Sequence, residues 1–505
     1  MSTLNHLQSL SGHHLIGGSL RAGRGTVSIP VIDPATERVI GAVTEATDAE
    51  IDEAIRIANR AQKLWNKVNY HRRAELLHEA ARQMMANRPL VAEMLTREMG
   101  KTYKESFDEA TWSASATDYY AEAGRHEAGK VLGNTVDGQM HFTTKDPVGV
   151  VVIVLPFNYP LCLLCWQATA ALVAGNAVII KPSEMTTLTT LEFTKAFAGF
   201  PPGVVQVLGG GGKVGKALVE SPETHMVAFT GGIATGGSVG ETCGRLYKRA
   251  LIETSGNDPF IVMPSAPIEV AARGAAFGAF LNCGQVCAAS ERFYVHEAVY
   301  EQFIERLVHY ARAVRIGNGL DKVDMGPLGS KREYDRYNGL LQRAIAAGAT
   351  VLTGGGRPAH LPTGYFCEAT VLGNVSPDAE IMNTESFGPV APVCRVASLD
   401  EAMHYANRSQ YGLGSTIYTL DLSEAMRAVN EIEAGMVWVN APLLDNDAGP
   451  FGGRKQSGLG RQLGSEGLDT FRHTKLSMID PTAASHDFWW FPYADAESFR
   501  GNRGD

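Results

Sequence analysis

A cysteine among small residues is the first feature of this sequence that carries chemistry. In Asn282-Cys283-Gly284-Gln285-Val286-Cys287-Ala288-Ala289-Ser290 the neighbours of Cys287 leave room for a substrate carbonyl, and sulfur is the best intrinsic nucleophile among side chains at neutral pH. The plainer alternative is a buried structural thiol beside Cys283. Zinc is not supported, because Cys283 and Cys287 lack two further ligands at finger-like spacing. Cys162-Leu163-Leu164-Cys165 has redox spacing but falls inside an apolar helical run. The 7 cysteines in 505 residues are too sparse for a disulfide framework and cannot all pair, so a reducing compartment with at least one free thiol is expected.

Four other constellations could serve such a nucleophile. Pro156-Phe157-Asn158-Tyr159-Pro160 lies between an apolar strand and an apolar helix, where α/β proteins put ligands. Its prolines stiffen the loop and Asn158 offers a neutral donor for developing negative charge, although a helix-capping asparagine reads the same way. Lys181-Pro182-Ser183-Glu184 pairs a cation with a carboxylate able to accept both protons of a ribose diol; a solvated cap with a surface ion pair fits too. A 2′-phosphate would meet Glu184 as a like charge, which favours NAD over NADP. Thr230-Gly231-Gly232-Ile233-Ala234-Thr235-Gly236 leaves a strand and enters a helix whose first N–H groups can hold a pyrophosphate, but a plain flexible turn explains it equally. Glu253 ends the apolar strand Ala250-Leu251-Ile252 before Thr254-Ser255-Gly256. Burial there would raise its pKa toward general-base work, against the alternative of an exposed loop carboxylate.

Positioning these groups requires a layered α/β frame. From Pro147 to Ile180 the chain has no charged residue, long enough to cross a bilayer. Pro156, Pro160 and the Gly175-Asn176 pair divide it into a strand (Val148 to Leu155), a helix (Leu161 to Ala174) and a second strand (Ala177 to Ile180), a buried α/β element. Short strands at Met226–Phe229, Ala250–Ile252 and Phe260–Val262 alternate with helical stretches, the pattern of parallel α/β layers. Ile51, Ile55, Ala58 and Trp65 mark a helix opened by Thr47 or Asp48, and Leu76, Leu77, Ala80, Met84 and Met85 mark another that Pro89 should end. Residues 129–145 alternate like a solvent-facing hairpin, and Phe488-Trp489-Trp490-Phe491 should be covered by a subunit or domain. With 45 Lys plus Arg against 54 Asp plus Glu, the net charge is −9, and no basic run or stripe points to nucleic acid or a membrane surface. No secretory segment is evident before Gly18, so the cytoplasm is expected.

Taken in order, the asparagine loop, Lys181-Pro-Ser-Glu184, Phe229-Thr-Gly-Gly232, Glu253-Thr-Ser-Gly256, Gly284-Gln-Val-Cys287, Glu385-Ser-Phe387-Gly-Pro389 and Pro450-Phe-Gly-Gly-Arg-Lys-Gln-Ser-Gly458 resemble the motif series of the aldehyde dehydrogenase superfamily. The likeness runs from His14 to about Met478. It implies a doubly wound Rossmann-like cofactor domain (1–126 and 148–255), an α/β catalytic domain (256–465), a small β oligomerisation arm (127–147 and 466–495) and a tail (496–505), assembled as a homodimer or homotetramer. By the same resemblance Cys287 attacks the aldehyde, Asn158 and the Cys287 N–H hold the oxyanion, and hydride passes to NAD. Glu253 then activates water to hydrolyse the thioester. Lys181, Ser183, Glu184, Phe157, Gly231, Gly232, Glu385 and Phe387 are the implied cofactor contacts, with no metal. Tyr159, Cys162, Trp166, Leu281 and Ala288 are the implied substrate tunnel, and Leu443 to Asp447 its cap. That wall leans toward uncharged aldehydes, with Asp445 or Asp447 as the feature that would instead attract a cation. The other cysteines, 162, 165, 243, 283, 367 and 394, fall to packing or pocket walls. Phe157, Gly232 and Thr254-Ser255 depart from the family's usual Trp, Ser and Leu-Gly. A coenzyme A-acylating relative and a silent cofactor-binding protein are the alternatives; Glu253 argues against the first and the intact Cys287, Asn158 and Glu253 set against the second.

Overall fold

The charge-free run forms the centre of a sheet. In the computed structural model, which describes residues 2–126, 128–483 and 490–491, Val150–Val154 and Ala177–Lys181 pair in parallel from Val150↔Ala177 to Val154↔Lys181. The helix between them, Pro160–Val173, is buried at every residue. Its uniform apolarity is that of a helix covered all round, not of a bilayer span. No helix among the described residues is long and apolar enough to cross a membrane.

Five parallel strands make the core of this eight-stranded sheet, in the order Arg249–Glu253, Met226–Thr230, Val150–Val154, Ala177–Lys181, Val205–Val207. The chain therefore starts in the middle, winds outward one way, and returns to wind the other, so connections diverge between Val150–Val154 and Met226–Thr230. In a doubly wound sheet the crevice for a ligand opens at the carboxyl ends of those two strands. The loop holding Asn158 and the turn holding Gly231 and Gly232 leave from there. Gly458–Leu459 adds an antiparallel edge strand beside Ile252 and Glu253.

A second sheet of seven strands runs Thr350–Thr353, Thr370–Gly373, Val390–Val396, Ser290–His296, Asp258–Val262, Thr416–Tyr418, Trp438–Val439. It is parallel except at Thr350–Thr353. Cys287 lies in the turn entering its strand Ser290–His296. In a third sheet Met140–Pro147 lies between Arg472–Ile479 and Val131–Leu132 and pairs antiparallel with both, so the hairpin expected near 129–145 takes a later segment of the same chain as its third strand.

Two expectations about helices need correction. The helix Tyr70–Met99 does not stop at Pro89 but runs through it. A proline inside a helix strands the carbonyl four residues earlier; here that acceptor, Met85 O, takes Nε–H of Arg88 instead at 3.1 Å. Met85 is exposed, not core, because the buried stripe runs through Leu77, Ala80, Ala81, Met84, Val91 and Leu95 and one residue past Met84 is about 100° off it. The helix at Asp48–Trp65 opens as expected on Thr47, in a reciprocal cap with Glu50. Of the aromatic run near the end, Phe488 and Trp489 lie outside the described residues, and Trp490 and Phe491 are exposed.

Candidate active site

Three consecutive residues before the nucleophile candidate have left-handed backbone: Asn282 (φ 50°), Cys283 (φ 57°) and Gly284 (φ 74°). Such conformations cost non-glycine residues about 1–3 kcal/mol each and persist only where the surroundings over-determine them. Glu105 accepts Asn282 N–H at 2.8 Å, and the Asn282 amide donates to Gln285 O at 3.1 Å and Asn158 O at 3.3 Å. Gln285 returns a bond to Asn282 O at 3.0 Å and accepts Gly329 N–H at 2.8 Å. At Gly284 a Cβ would stand 2.2 Å from Gly388 O. The turn therefore delivers Cys287 from a fixed base, half-buried, while Cys283 is buried and packs in the second core. All seven cysteines are free.

The asparagine loop is held from beneath by a buried ion pair. Lys101 Nζ lies 2.5 Å from Glu109, donates to the carbonyl of Asn158 and stands 3.9 Å over the Tyr159 ring. Glu109 accepts Leu161 N–H at 2.7 Å and Cys162 N–H at 3.2 Å, satisfying the opening turn of Pro160–Val173. Tyr159 at the N-cap makes no side-chain bond and the first N–H groups go to Glu109, so Asn158 is not a capping residue. Its amide donates to Gln285 O at 3.2 Å, which holds it facing the segment of Cys287.

Glu253 is buried at the end of Arg249–Glu253. Gln462 donates to its Oε2, and Gln167 ties Gln462 Oε1 (2.9 Å) to Thr230 Oγ1 (3.0 Å). Its Oε1 has no hydrogen-bond partner among the described residues. Burial raises the carboxyl to about 7, with the Cys287 thiol and the Gln462 amide pulling the other way. The Cys287 thiol is itself pushed up, by burial first and the Glu253 carboxylate second. Gly256 is needed behind them, because a Cβ there would sit 2.0 Å from Cys287 O.

Two cavities meet at this point. One, of about 490 Å³, is lined by Tyr159, Cys162, Trp166, Leu281 and Ala288, by Trp112 and Phe451, and by Leu443, Asp445 and Asp447. The other, of about 450 Å³, is lined by Phe157, Gly231, Gly232, Thr254, Ser255, Glu385 and Phe387. Cys287 and Asn158 belong to both walls. In the second cleft Phe157 and Phe387 meet edge to face at 5.9 Å, and Gly232 caps the helix Ile233–Arg245 with open space where a Cβ would be. Bare N–H groups at a helix start beside open space suit a pyrophosphate, so these residues fit a dinucleotide. Lys181 and Glu184 stand 3.8 Å apart at the end of Ala177–Lys181, the first buried and the second partly exposed. Neither they nor Ser183 border the 450 Å³ cleft.

Several residues of the site carry no local signal in the sequence. Glu291, buried, accepts Ser386 N–H (2.8 Å), Ser386 Oγ–H (2.8 Å) and Phe387 N–H (2.7 Å), which pins Phe387 at its positive φ of 43°. Burial, then the charge of Glu291, raises Glu385 to about 8. Lys101, Glu105, Glu109, Gln167 and Gln462 support the reacting groups in the same way. Asp445, exposed at the mouth of the pocket, has its carboxyl raised by desolvation first and by the neighbouring Asp447 second.

A profile of the aldehyde dehydrogenase family matches residues 21–477. The chain is 34% identical over 475 residues to a chloroplastic betaine aldehyde dehydrogenase of Amaranthus hypochondriacus, covering 92% of this chain and 95% of that one. Among solved structures it resembles betaine aldehyde dehydrogenase from Staphylococcus aureus in complex with NAD+, at 31% identity and a TM-score of 0.93 over 97% of this chain and 98% of that one. It also resembles a 3,6-anhydro-L-galactose dehydrogenase in complex with NAP, at 34% identity and a TM-score of 0.90 over 93% and 100%.

Proposed function

This chain belongs to the aldehyde dehydrogenase family and oxidises an aldehyde with NAD; we propose that Cys287 is its nucleophile, Asn158 its oxyanion donor and Glu253 its hydrolytic base. The observation that carries this reading is the junction of a substrate-sized and a cofactor-sized cavity at Cys287 and Asn158. The Cys287 thiol releases its proton to water and Sγ bonds the carbonyl carbon, while the carbonyl electron pair moves onto oxygen, where Asn158 Nδ2–H and the Cys287 N–H receive it, and returns to the C=O bond as the hydride leaves. Gly231, Gly232, Phe157, Glu385 and Phe387 would hold NAD+, with Lys181, Ser183 and Glu184 toward its ribose, and bound there it would supply the hydride acceptor. Glu253 takes a proton from water as that water attacks the thioester, and the C–S bond breaks to release the acid. A carboxylate near 7 suits this, being ionised enough to act and basic enough to accept. Cys287→Ala is expected to abolish aldehyde-dependent NADH formation; turnover near that of the parent enzyme would overturn the assignment.

The substrate wall favours an aldehyde with an apolar body and a cationic ammonium end over the uncharged aldehyde expected from sequence. Trp112, Tyr159, Trp166 and Phe451 offer ring faces, Asp445 and Asp447 offer carboxylates, and among the described residues no Arg or Lys lines the cavity. The relative named for betaine aldehyde points the same way. Across ammonium aldehydes and neutral isosteres of equal length, Asp445→Asn should raise KM at least tenfold for the cations only; an equal change for both sets would return the reading to neutral substrates.

NAD is preferred over NADP, on the charge of Glu184. The unit of 1–126 and 148–255 serves the cofactor and the unit of 256–465 the nucleophile. The arm (127–147 with 466–495) joins subunits into a homodimer or homotetramer, an assembly suggested by the exposed Val131, Met140, Leu476 and Met478 along its strands. A reducing cytoplasm suits a thiol that oxidation would silence.

A further inference from the structure

The helix Asp48–Trp65 buries Ile51, Ala54, Ile55, Ala58, Ala61 and Trp65 and presents Arg56, Arg60 and Lys63 together on its outer face. With Asn59, and with Pro222, Glu223 and His225 from the segment before Met226–Thr230, they line a cavity of about 510 Å³. Spaced at i, i+4 and i+7, they form no run in the sequence, and the absence of a basic stripe inferred there does not hold for this face. None of the three cations makes a hydrogen bond or ion pair among the described residues. Three of the four acids of the same helix are engaged elsewhere: Asp48 with Lys213 at 3.8 Å, Glu50 with the Thr47 cap, and Glu53 with Arg21 and Arg24 at 2.8 and 3.1 Å. Asp52 does not reach Arg56. Like charges one turn apart destabilise a helix, so in a chain of net charge −9 three unpaired cations on one stripe make a site awaiting an anion.

The rest of the wall agrees. Val150 N–H donates to His225 Nδ1 at 3.0 Å, which places the imidazole proton on Nε2 and leaves that N–H as a donor. Asn59 ties the two walls, donating to Ile55 O and to Glu223 O at 3.0 Å each. Lys248 stands behind, bound to Val219 O and Thr224 Oγ1 at 2.7 Å, and adds positive charge that His225 feels. The Glu223 carboxylate is the one opposing charge in the lining. The groove opens at the amino ends of Val150–Val154 and Met226–Thr230, the opposite edge of the sheet from the catalytic crevice.

We propose that this groove binds a small anion carrying two or more phosphoryl groups. Arg56 and Lys63 are separated by about 10 Å along the helix axis, wider than one phosphate, while two guanidinium forks suit phosphate oxygens. The test is calorimetric titration of the full-length enzyme, saturated with NAD+ so that the cofactor cleft is filled, with pyrophosphate and separately with inorganic phosphate at constant ionic strength. One pyrophosphate site is expected, at least tenfold tighter than phosphate. The exposed pair Arg60→Gln/Lys63→Gln should weaken it at least tenfold and leave kcat/KM for aldehyde unchanged. Equal affinity in the variant, or weak heats for both anions that do not saturate, an adventitious ion only, would overturn the site. Pyrophosphate binding no tighter than phosphate would overturn the ligand class.

Discussion

Gln462→Leu isolates what sets the basicity of Glu253. The amide of Gln462 donates to Glu253 Oε2, a bond that favours the ionised carboxyl, whose pKa burial has already raised to about 7. A hydrogen bond to a charged group is worth about 1.5–3 kcal/mol, and about 1.4 kcal/mol corresponds to one pKa unit, so losing the donor should raise the carboxyl by about one to two further units. At pH 7 the ionised fraction then falls from about a half to between roughly a tenth and a hundredth. If hydrolysis of the thioester limits turnover, kcat at pH 7 drops about 5- to 50-fold and recovers as the pH is raised above 9. Gln167 keeps its bond to Thr230 Oγ1, so the neighbouring helix retains a tie. The assay is stopped-flow NADH formation across pH 6 to 10. The first-turnover burst at pH 7 should persist while the steady-state acid limb moves to higher pH. A uniform loss at every pH would mean that Gln462 acts by packing, and an unmoved acid limb would show that Glu253 is not the group titrating in turnover.

Glu253→Gln should preserve the NADH burst and slow the turnovers after it; loss of the burst would move Glu253 into the acylation half. The same substitution should change stability with a definite sign. Because the folded pKa lies above the ordinary 4.5, the native state favours the neutral carboxyl, a contribution fully present below 4.5 and lost as pH rises through about 7, amounting to about 3 kcal/mol. Denaturation of Glu253→Gln against the parent should therefore show a gain at pH 8 that is small at pH 5; an equal difference at both would contradict the burial argument. Lys101→Met leaves Glu109 charged and unpaired in the interior and should cost about 3–5 kcal/mol, most of it regained in Lys101→Met/Glu109→Gln. Chemical denaturation of both variants decides this, and a double variant no more stable than the single one would refute it.

The parts of the site that could be read from sequence are those whose function resides in residue type and local backbone. Cys287 among small residues, Asn158 between two prolines and Glu253 at a strand end each need only a short segment, and the charge-free run fixed the sheet centre because breakers and β-branched residues are local signals. What supports those groups has no such signature. Lys101 meets Asn158 across 57 positions, Glu105 meets Asn282 across 177 and Gln462 meets Glu253 across 209. In the sequence such residues read as solvated surface, since their partners are set by tertiary packing.

Pro89 failed as a boundary for the same reason, its stranded carbonyl being rescued by a side chain that no propensity anticipates. The three cations on Asp48–Trp65 invert the case: their spacing was visible, but nothing in the sequence says that Asp48, Glu50 and Glu53 are spent elsewhere. In both directions the missing information is the bookkeeping of polar partners, which exists only once the chain has closed on itself. The family of this enzyme was therefore legible from seven short motifs, whereas the contacts that hold Cys287, Asn158 and Glu253 in place were not. Substitutions at Lys101, Glu105, Glu291 and Gln462, none of which borders the substrate cavity, should accordingly perturb catalysis more than their distance from any motif suggests.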